Sequence, residues 1–194
     1  MLRTAFALVA LLFIGIAPAS AEVGDDGLHK EGWFTITFRD IGDDIEQAKA
    51  EGKRLAIIFE QRGCIYCAKM HEELLSDPEV RDFIEANFKV VQYNMFGDEE
   101  VTDLDGEVLT EKTAARKWGY VFTPTIVFLP EQAPEGKTVA EAAVATMPGA
   151  FGKWTFLHMF EWVAAKGYEG EEHFQKYHAR MLDELRAAGR LDAE

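Results

Sequence analysis

The sequence is poor in cysteine: its 194 residues include two, Cys64 and Cys67. A single pair excludes a small fold that is held together by several disulfides. A chain of this length forms one domain of ordinary size with a sizeable hydrophobic core. We therefore expect the core to stabilise the fold, which leaves the cysteine pair free for a chemical role.

Basic residues are also scarce. The chain has 20 lysines and arginines against 34 acidic residues, which gives a formal net charge of −14. This balance argues against nucleic acids and anionic lipid surfaces as partners. The sequence has no internal repeat and no low-complexity linker. These absences together predict a single acidic domain.

Long apolar runs are missing after the first 21 residues. Residues 1–21 combine Arg3, an apolar stretch over 5–16 and the small residues Ala19-Ser20-Ala21, the pattern of a secretory signal peptide. The alternative is a membrane anchor, but the stretch is short for a spanning helix of about 20 residues. The pattern predicts export, cleavage after Ala21 and a soluble mature protein.

The next segments set the start of the domain. Residues 22–32 are polar and contain glycine, so we expect a flexible lead before a domain over residues 33–194. Apolar and polar residues alternate over 33–38, which predicts an early strand. A helix is predicted from Asp43 to Gly52, and the strand that follows, 55–59, is apolar on both faces like a central parallel strand.

The strand over 55–59 runs into Gly63-Cys64-Ile65-Tyr66-Cys67, and a helical pattern follows. A buried strand that enters a helix at C-x-x-C is typical of a thiol–disulfide redox site. Unpaired backbone N–H groups and the positive end of the helix dipole favour thiolate over thiol in the first turn. We therefore predict that Cys64 and Cys67 are the catalytic residues, with Cys64 as the attacking sulfur.

An acidic insertion, residues 98–109, follows a strand predicted over 89–95. Its Asp105-Gly106 pair lies between apolar residues, which predicts a hairpin turn. A calcium loop aligned on Gly106 would place Val101 at the first ligand and Lys112 at the last, which excludes that site.

The rest of the chain alternates between helical and extended patterns. We predict a helix over 110–118, an apolar strand that directly follows Pro124 within the segment 121–129, a strand over 139–147, an aromatic helix over 151–165 and an amphipathic C-terminal helix over 171–188.

This order of elements and several motifs resemble periplasmic thioredoxin-like proteins, in particular the thioredoxin encoded with bacterial sulfur-oxidation proteins (SoxW type). The similarity covers roughly residues 33–185. The motifs are G-C-I-Y-C-A-K-M-H-E-E from Gly63, D-P-E-V from Asp77, V-V-Q-Y-N from Val90, G-D-E-E-V-T-D-L-D-G-E from Gly97, F-T-P-T-I-V-F from Phe122 and M-P-G-A-F from Met147. The resemblance implies an α/β thioredoxin fold, a central mixed sheet flanked by helices, here with the acidic insertion and a C-terminal helical extension.

The resemblance also implies a set of supporting residues. Pro124 would follow a cis peptide bond and lie against the cysteines, which would free the backbone of Thr123 to pair with an extended substrate peptide. The alternative is an ordinary proline at the start of an edge strand. Ile65 and Tyr66 would face the substrate. Tyr66 together with Thr123 resembles glutaredoxins and periplasmic reductases or isomerases.

One residue departs from the family pattern. The buried carboxylate that aids proton transfer in thioredoxins is replaced by Ile58. Glu60 lies two residues later and would point to the same face of the strand. It could accept a proton from Cys67, or it could be a solvated residue at the end of a strand.

The resemblance implies an exported, periplasmic reductant of protein disulfides that needs no cofactor. Its substrates would be sulfur-oxidation or cytochrome-maturation proteins, and its electron donor a membrane protein of the cytochrome-biogenesis transporter type. A disulfide isomerase or an oxidase is the closest alternative. The short segment before the first predicted strand leaves no room for the dimerisation domain of isomerases, so we expect a monomer.

Two alternatives belong to other classes. Cys64, Cys67 and His71 could bind a metal, but zinc sites usually have four ligands, and we expect His71 to be an exposed helix residue, so no metal site is predicted. The cysteines could instead form a structural disulfide in a non-catalytic binding module. Its binding surface would then be four aromatic residues that we expect in the core, namely Trp154, Phe156, Phe160 and Trp162.

Overall fold

The computed structural model describes residues 22–191, so the signal peptide predicted over 1–21 lies outside the described residues. No helix within 22–191 is both long and apolar enough to cross a membrane. The strands are β1 Glu22–Val23, β2 His29–Lys30, β3 Arg54–Glu60, β4 Phe88–Asn94, β5 Glu100–Thr102, β6 Val108–Thr110, β7 Thr125–Phe128 and β8 Ala145–Pro148. The helices are α1 Ile41–Ala50, α2 Ile65–Lys69, α3 Pro78–Asn87, α4 Glu111–Lys117, α5 Val139–Ala142, α6 Lys153–Ala164 and α7 Phe174–Ala187.

The central sheet has the strand order β4-β3-β7-β8. Strand β3 runs parallel to β4 and antiparallel to β7, so the sheet is mixed, as expected for a thioredoxin fold. Every residue of β3 is buried, because both faces of this strand are covered. Ile57 and Phe59 point into one hydrophobic cluster, and Ala56 and Ile58 point into the other. This buried central strand positions the C-x-x-C turn that follows it.

The segment over 22–32 differs from the flexible lead that its composition predicts. Strands β1 and β2 form an antiparallel hairpin, and Leu28 is buried. The Asp26 side chain accepts a hydrogen bond from the backbone N–H of Leu28, and Gly27 takes a positive φ of 77°. Polar residues and glycine therefore build a turn here, which places the hairpin against the domain.

The strand predicted over 33–38 does not form. One backbone bond links this segment to the sheet, from the Thr35 N–H to the Val90 carbonyl at 2.7 Å. Ile36 and Phe38 are 97% and 100% exposed. The Thr37 hydroxyl instead donates to buried Asp44 and accepts from the backbone N–H of Arg39, whose φ is +57°. These bonds turn the chain toward α1. Residues 33–38 therefore do not form the backbone hydrogen bonds of a β-strand, in spite of their alternating pattern.

The strand predicted over 139–147 is wrong in its first half. Residues Val139–Ala142 form α5, and the strand β8 begins at Ala145. Thr138 and Glu141 exchange the two hydrogen bonds of a capping box, which starts the helix. Their spacing is a local helix signal that outweighs the β-branched and apolar character of the segment.

The acidic insertion forms the predicted hairpin. Strands β5 and β6 pair antiparallel, and Gly106 in the turn has a φ of +84°, a conformation that glycine adopts without strain. The side chain of Asp103 is buried beneath this hairpin and accepts four hydrogen bonds or ion-pair contacts. Their donors are the backbone N–H groups of Leu104 and Val139, the Trp118 indole and the Lys117 ammonium. The insertion is therefore joined to α4 and α5 by the hydrogen bonds and the ion pair of Asp103.

The aromatic helix α6 belongs to the core. Phe156, Phe160 and Trp162 are buried on it, and Trp154 packs partly buried against the same cluster. This confirms the core assignment and leaves these rings unavailable as the binding surface of a non-catalytic module. Helix α7 packs across α6, with Leu185 as its buried residue.

A pair of histidines joins α6 to α7. His158 is buried, and its Nδ1 lies 2.7 Å from Nδ1 of His178. Burial lowers the pKa of His158 to about 4, with a further lowering from His178. Burial also lowers the pKa of His178. The native state therefore keeps both rings neutral at pH values at which the unfolded chain would protonate them.

We expect the histidine pair to contribute less to the free energy of unfolding as the pH is lowered. The His158 contribution is fully present above its ordinary pKa of 6.5 and is lost as the pH falls through about 4. Between pH 7 and pH 5 this loss is roughly 1–2 kcal/mol. Urea unfolding at the two pH values measures it. His158→Gln should remove this contribution from the pH dependence of the wild type, whereas His173→Gln, at the start of α7, should leave the pH dependence unchanged; the same pH dependence in both variants would contradict the assignment.

Candidate active site

The two cysteines lie where β3 leads into α2. Gly63 turns the chain with a φ of +72°, and Cys64 caps the helix, its sulfur accepting from the Cys67 N–H at 3.0 Å. The two sulfurs are joined in a disulfide, with a Cα–Cα separation of 5.2 Å. Cys64 is 9% exposed and Cys67 is 0% exposed. This difference matches the predicted division between an attacking and a resolving sulfur.

The Thr123-Pro124 loop lies against this disulfide. The bond between the two residues is cis, as the resemblance implies. The Thr123 hydroxyl donates to the Cys64 sulfur at 3.4 Å, and the Pro124 carbonyl accepts from the backbone N–H of Gly149. The structure therefore brings Thr123 to the cysteine that we expect to attack, with Pro124 next to it in the chain.

Four exposed apolar side chains, here called the apolar rim, belong to the two chain segments that meet at the disulfide. The rim consists of Ile65 and Tyr66 between the cysteines and of Val121 and Phe122 before the Thr-Pro pair. All four side chains are exposed. Exposed apolar groups beside a reactive sulfur suit contact with another polypeptide.

Glu60 is buried and not solvated, although it ends β3. Its Oε1 accepts from the amide of Gln92 at 3.0 Å and is 2.9 Å from Nε2 of His71. Its Oε2 is buried and has no hydrogen-bond partner among residues 22–191. A buried carboxylate with one free oxygen can accept a proton, so the structure retains this possibility and removes the solvated alternative.

His71 is buried, which corrects the expectation of an exposed helix residue. Its Nδ1 lies 2.8 Å from Oε1 of Glu31, and its Nε2 faces Glu60. Burial lowers the pKa of His71, but hydrogen bonds to Glu31 and Glu60 outweigh burial and raise the pKa to about 9. Both ring nitrogens are engaged by carboxylates. Within residues 22–191, no group of three or more His, Cys, Asp or Glu side chains is arranged to hold a metal.

A local signal for the burial of His71 was present in the sequence. Cys67, Met70, His71 and Leu74 follow the i, i+3, i+4, i+7 spacing of one helix face, and all four are buried. The helix widens to π geometry over Met70–Leu75, and this face remains inward. Glu31 had no such signal, because it comes from the segment that was expected to be a flexible lead.

Comparison with known proteins agrees with this geometry. Residues 41–159 match the family model of a thioredoxin-like domain. The chain belongs to the thioredoxin-like family. This membership and the C-x-x-C disulfide identify a thiol–disulfide oxidoreductase. No curated protein matches the sequence.

Solved structures support the fold. A thioredoxin-fold protein from Helicobacter pylori is 19% identical, with a TM-score of 0.51 over 73% of this chain and 87% of that one. A thioredoxin from Thermus thermophilus is 26% identical, with a TM-score of 0.51 over 66% of this chain and 86% of that one. The lead hairpin with Glu31 precedes the residues that match the thioredoxin-like family model.

Proposed function

We propose that this thioredoxin-like protein is an exported, periplasmic reductant of protein disulfides. The observation that carries the proposal is the placement of Cys64 at the start of α2, with the Thr123 hydroxyl on its sulfur and the apolar rim on the two chain segments that meet there. By resemblance, the substrates are sulfur-oxidation or cytochrome-maturation proteins, and a membrane electron donor of the cytochrome-biogenesis transporter type reduces the pair again.

The reaction proceeds in two exchanges. The Cys64 thiolate attacks a substrate disulfide, so that a mixed disulfide forms and one substrate sulfur leaves as a thiolate. Cys67 then loses its proton and attacks the sulfur of Cys64. The Cys64–Cys67 bond forms, the second substrate sulfur leaves and takes up a proton, and two electrons have passed to the substrate.

The reduction potential of the Cys64–Cys67 pair tests the direction of this reaction. Equilibration in thiol buffers should give a value well below about −200 mV, nearer to thioredoxin than to the oxidising periplasmic type. A value near about −120 mV would instead indicate an oxidase of folding proteins. Tyr66 and Thr123 resemble the corresponding residues of periplasmic reductases or isomerases, and activity on a scrambled disulfide protein distinguishes the two, because only an isomerase would restore its activity.

A further inference from the structure

A small cavity, here called the hollow, opens between the end of β4, the helix α4 and the segment before the Thr-Pro pair. Its volume is about 290 Å³, and its walls include Phe96, Lys112, Arg116 and Val121. Pockets for drug-sized ligands measure about 300–1,000 Å³. The hollow is slightly smaller than such a pocket, and its size suits a single large side chain of a peptide.

Val121 connects the hollow to the disulfide. It belongs both to the apolar rim and to the wall of the hollow, and it precedes Thr123 by two residues. Two residues of backbone span at most about 7 Å. Because the Thr123 hydroxyl lies 3.4 Å from the Cys64 sulfur, an extended peptide of about three residues reaches from that sulfur to the hollow.

The hollow has exposed apolar walls. Phe96 is 62% exposed and Val121 is 70% exposed, whereas side chains of these types are most often buried. Met95 and Tyr120, which also line the hollow, are buried and half-buried. Exposed aromatic rings provide contact area at protein–protein interfaces. An apolar side chain of a partner would therefore remove both Phe96 and Val121 from water.

Two cations of α4 also line the hollow. Lys112 and Arg116 are exposed and four residues apart, a spacing that places them on the same face of the helix. Neither forms an ion pair with a carboxylate of residues 22–191, whereas Lys117, one position after Arg116, contacts three carboxylates of the acidic insertion. Like charges at a spacing of four residues repel each other, so this pair does not stabilise the helix.

The position of these cations favours an acidic partner. The chain as a whole carries a net charge of −14, which repels acidic polypeptides elsewhere on the surface. Lys112 is the second residue of α4, where the helix dipole disfavours a cation. Complementary charges beside a binding site act mainly on specificity and on the rate of association. A carboxylate that approaches Lys112 and Arg116 would supply the charge that the described part of the chain does not place there.

We propose that the hollow and its two cations select protein disulfides whose reactive cysteine lies within about three residues of an apolar and an acidic side chain. The apolar side chain enters the hollow and packs on Phe96 and Val121, and the carboxylate pairs with Lys112 and Arg116. The inference rests on the proposed function and names the class of substrate for the same disulfide site.

Peptides that carry thionitrobenzoate on a single cysteine test this selection. The Cys64 thiolate attacks the peptide sulfur, a mixed disulfide forms, and the coloured thiolate leaves at a measurable rate. An acidic peptide has a phenylalanine and a glutamate on each side of the cysteine, and a basic peptide has lysine in place of glutamate. We expect the reduced protein to react about fivefold faster with the acidic peptide, because exposed ion pairs are individually weak.

Charge reversal on α4 is the sharpest variant. In Lys112→Glu/Arg116→Glu, the basic peptide should become the faster of the two. Lys137→Glu/Lys176→Glu changes the net charge by the same amount at two exposed positions that do not line the hollow, and it should keep the wild-type preference. A variant that folds poorly slows both peptides, so a reversed ratio cannot arise from loss of folding.

Two further measurements test the separate halves of the hollow. Phe96→Ala should slow the acidic peptide by about threefold or more, because apolar contact area is lost. Phe38→Ala makes the same substitution at a fully exposed position outside the hollow and should leave the rate unchanged. The preference for the acidic peptide should nearly vanish at about 1 M salt, where the Debye length falls to about 3 Å.

The outcomes separate the inference from the function on which it rests. Equal rates for the two peptides, or a preference that charge reversal on α4 does not change, overturn the inference. A preference that Lys137→Glu/Lys176→Glu also reverses overturns it as well, since net charge alone would then explain the result. The wild-type reaction with dipyridyl disulfide, a small uncharged probe, tests the thiol chemistry itself. If that reaction fails, the proposed function falls together with the inference; if it proceeds while the peptide rates are equal, the inference alone falls.

Discussion

Replacing Cys67 with serine is expected to turn the protein into a trap that stays bound to its disulfide substrates. Cys64 keeps its place at the start of α2 and its contact with Thr123, so it still attacks. A serine hydroxyl cannot resolve the mixed disulfide, because it is not a thiolate. Turnover should fall roughly 10³-fold or more, the scale seen when one member of a catalytic unit is removed.

Intact-mass analysis after mixing with a disulfide peptide detects the trap. Cys67→Ser should carry one peptide that is released by a reductant, and Cys64→Ser should carry none, because Cys67 is fully buried. Ala68→Ser places the same hydroxyl one position further along α2 and should retain full turnover. An adduct on Cys67 in the Cys64→Ser protein would reverse the assigned roles.

Replacing Asp103 with alanine is expected to cause the largest loss of stability among single changes in the acidic insertion. The Asp103 carboxylate accepts from the backbone N–H groups of Leu104 and Val139, from the Trp118 indole and from Lys117. Its removal leaves buried donors without a partner. Breaking a buried charge pair in this way lowers the free energy of unfolding by about 3–5 kcal/mol.

Asp105 provides a matched control in the same hairpin. It also pairs with Lys117, but 30% of its side chain is exposed. Asp105→Ala should therefore lower the free energy of unfolding much less than Asp103→Ala, because exposed ion pairs contribute little to stability. Urea unfolding followed by tryptophan fluorescence measures both variants. Similar losses in the two would show that Asp103 acts as a surface charge and does not fasten the insertion to α4 and α5.

Local pattern was enough to predict the elements that carry the redox site. Neighbouring residues alone are enough to recognise three of these elements. They are the apolar run of β3, the C-x-x-C at the start of α2 and the Thr-Pro motif. Residues 33–38 show where this reasoning fails. Their alternation favours a strand, but the Thr37 and Arg39 bonds that turn the chain depend on Asp44 and α1.

The buried contacts of Glu60 show a second limit of prediction from the sequence. Glu60 could be placed on the correct face of β3, but its burial depends on His71 and Gln92 from other elements. His71 in turn is paired with Glu31, which lies 40 residues away in the sequence. Partners that are so distant in the sequence leave no local pattern. The sequence therefore allowed Glu60, at the end of a strand, to be either buried or solvated.

The segment that failed to form a strand has a consequence for self-association. Strand β4 lies at the edge of the central sheet, and an uncovered edge can pair with the edge of another molecule. The single bond from Thr35 to Val90 holds residues 33–38 along that edge. A chain trimmed to begin at residue 41, where the family match begins, would lose this cover. We expect such a truncated protein to aggregate through the exposed edge of β4.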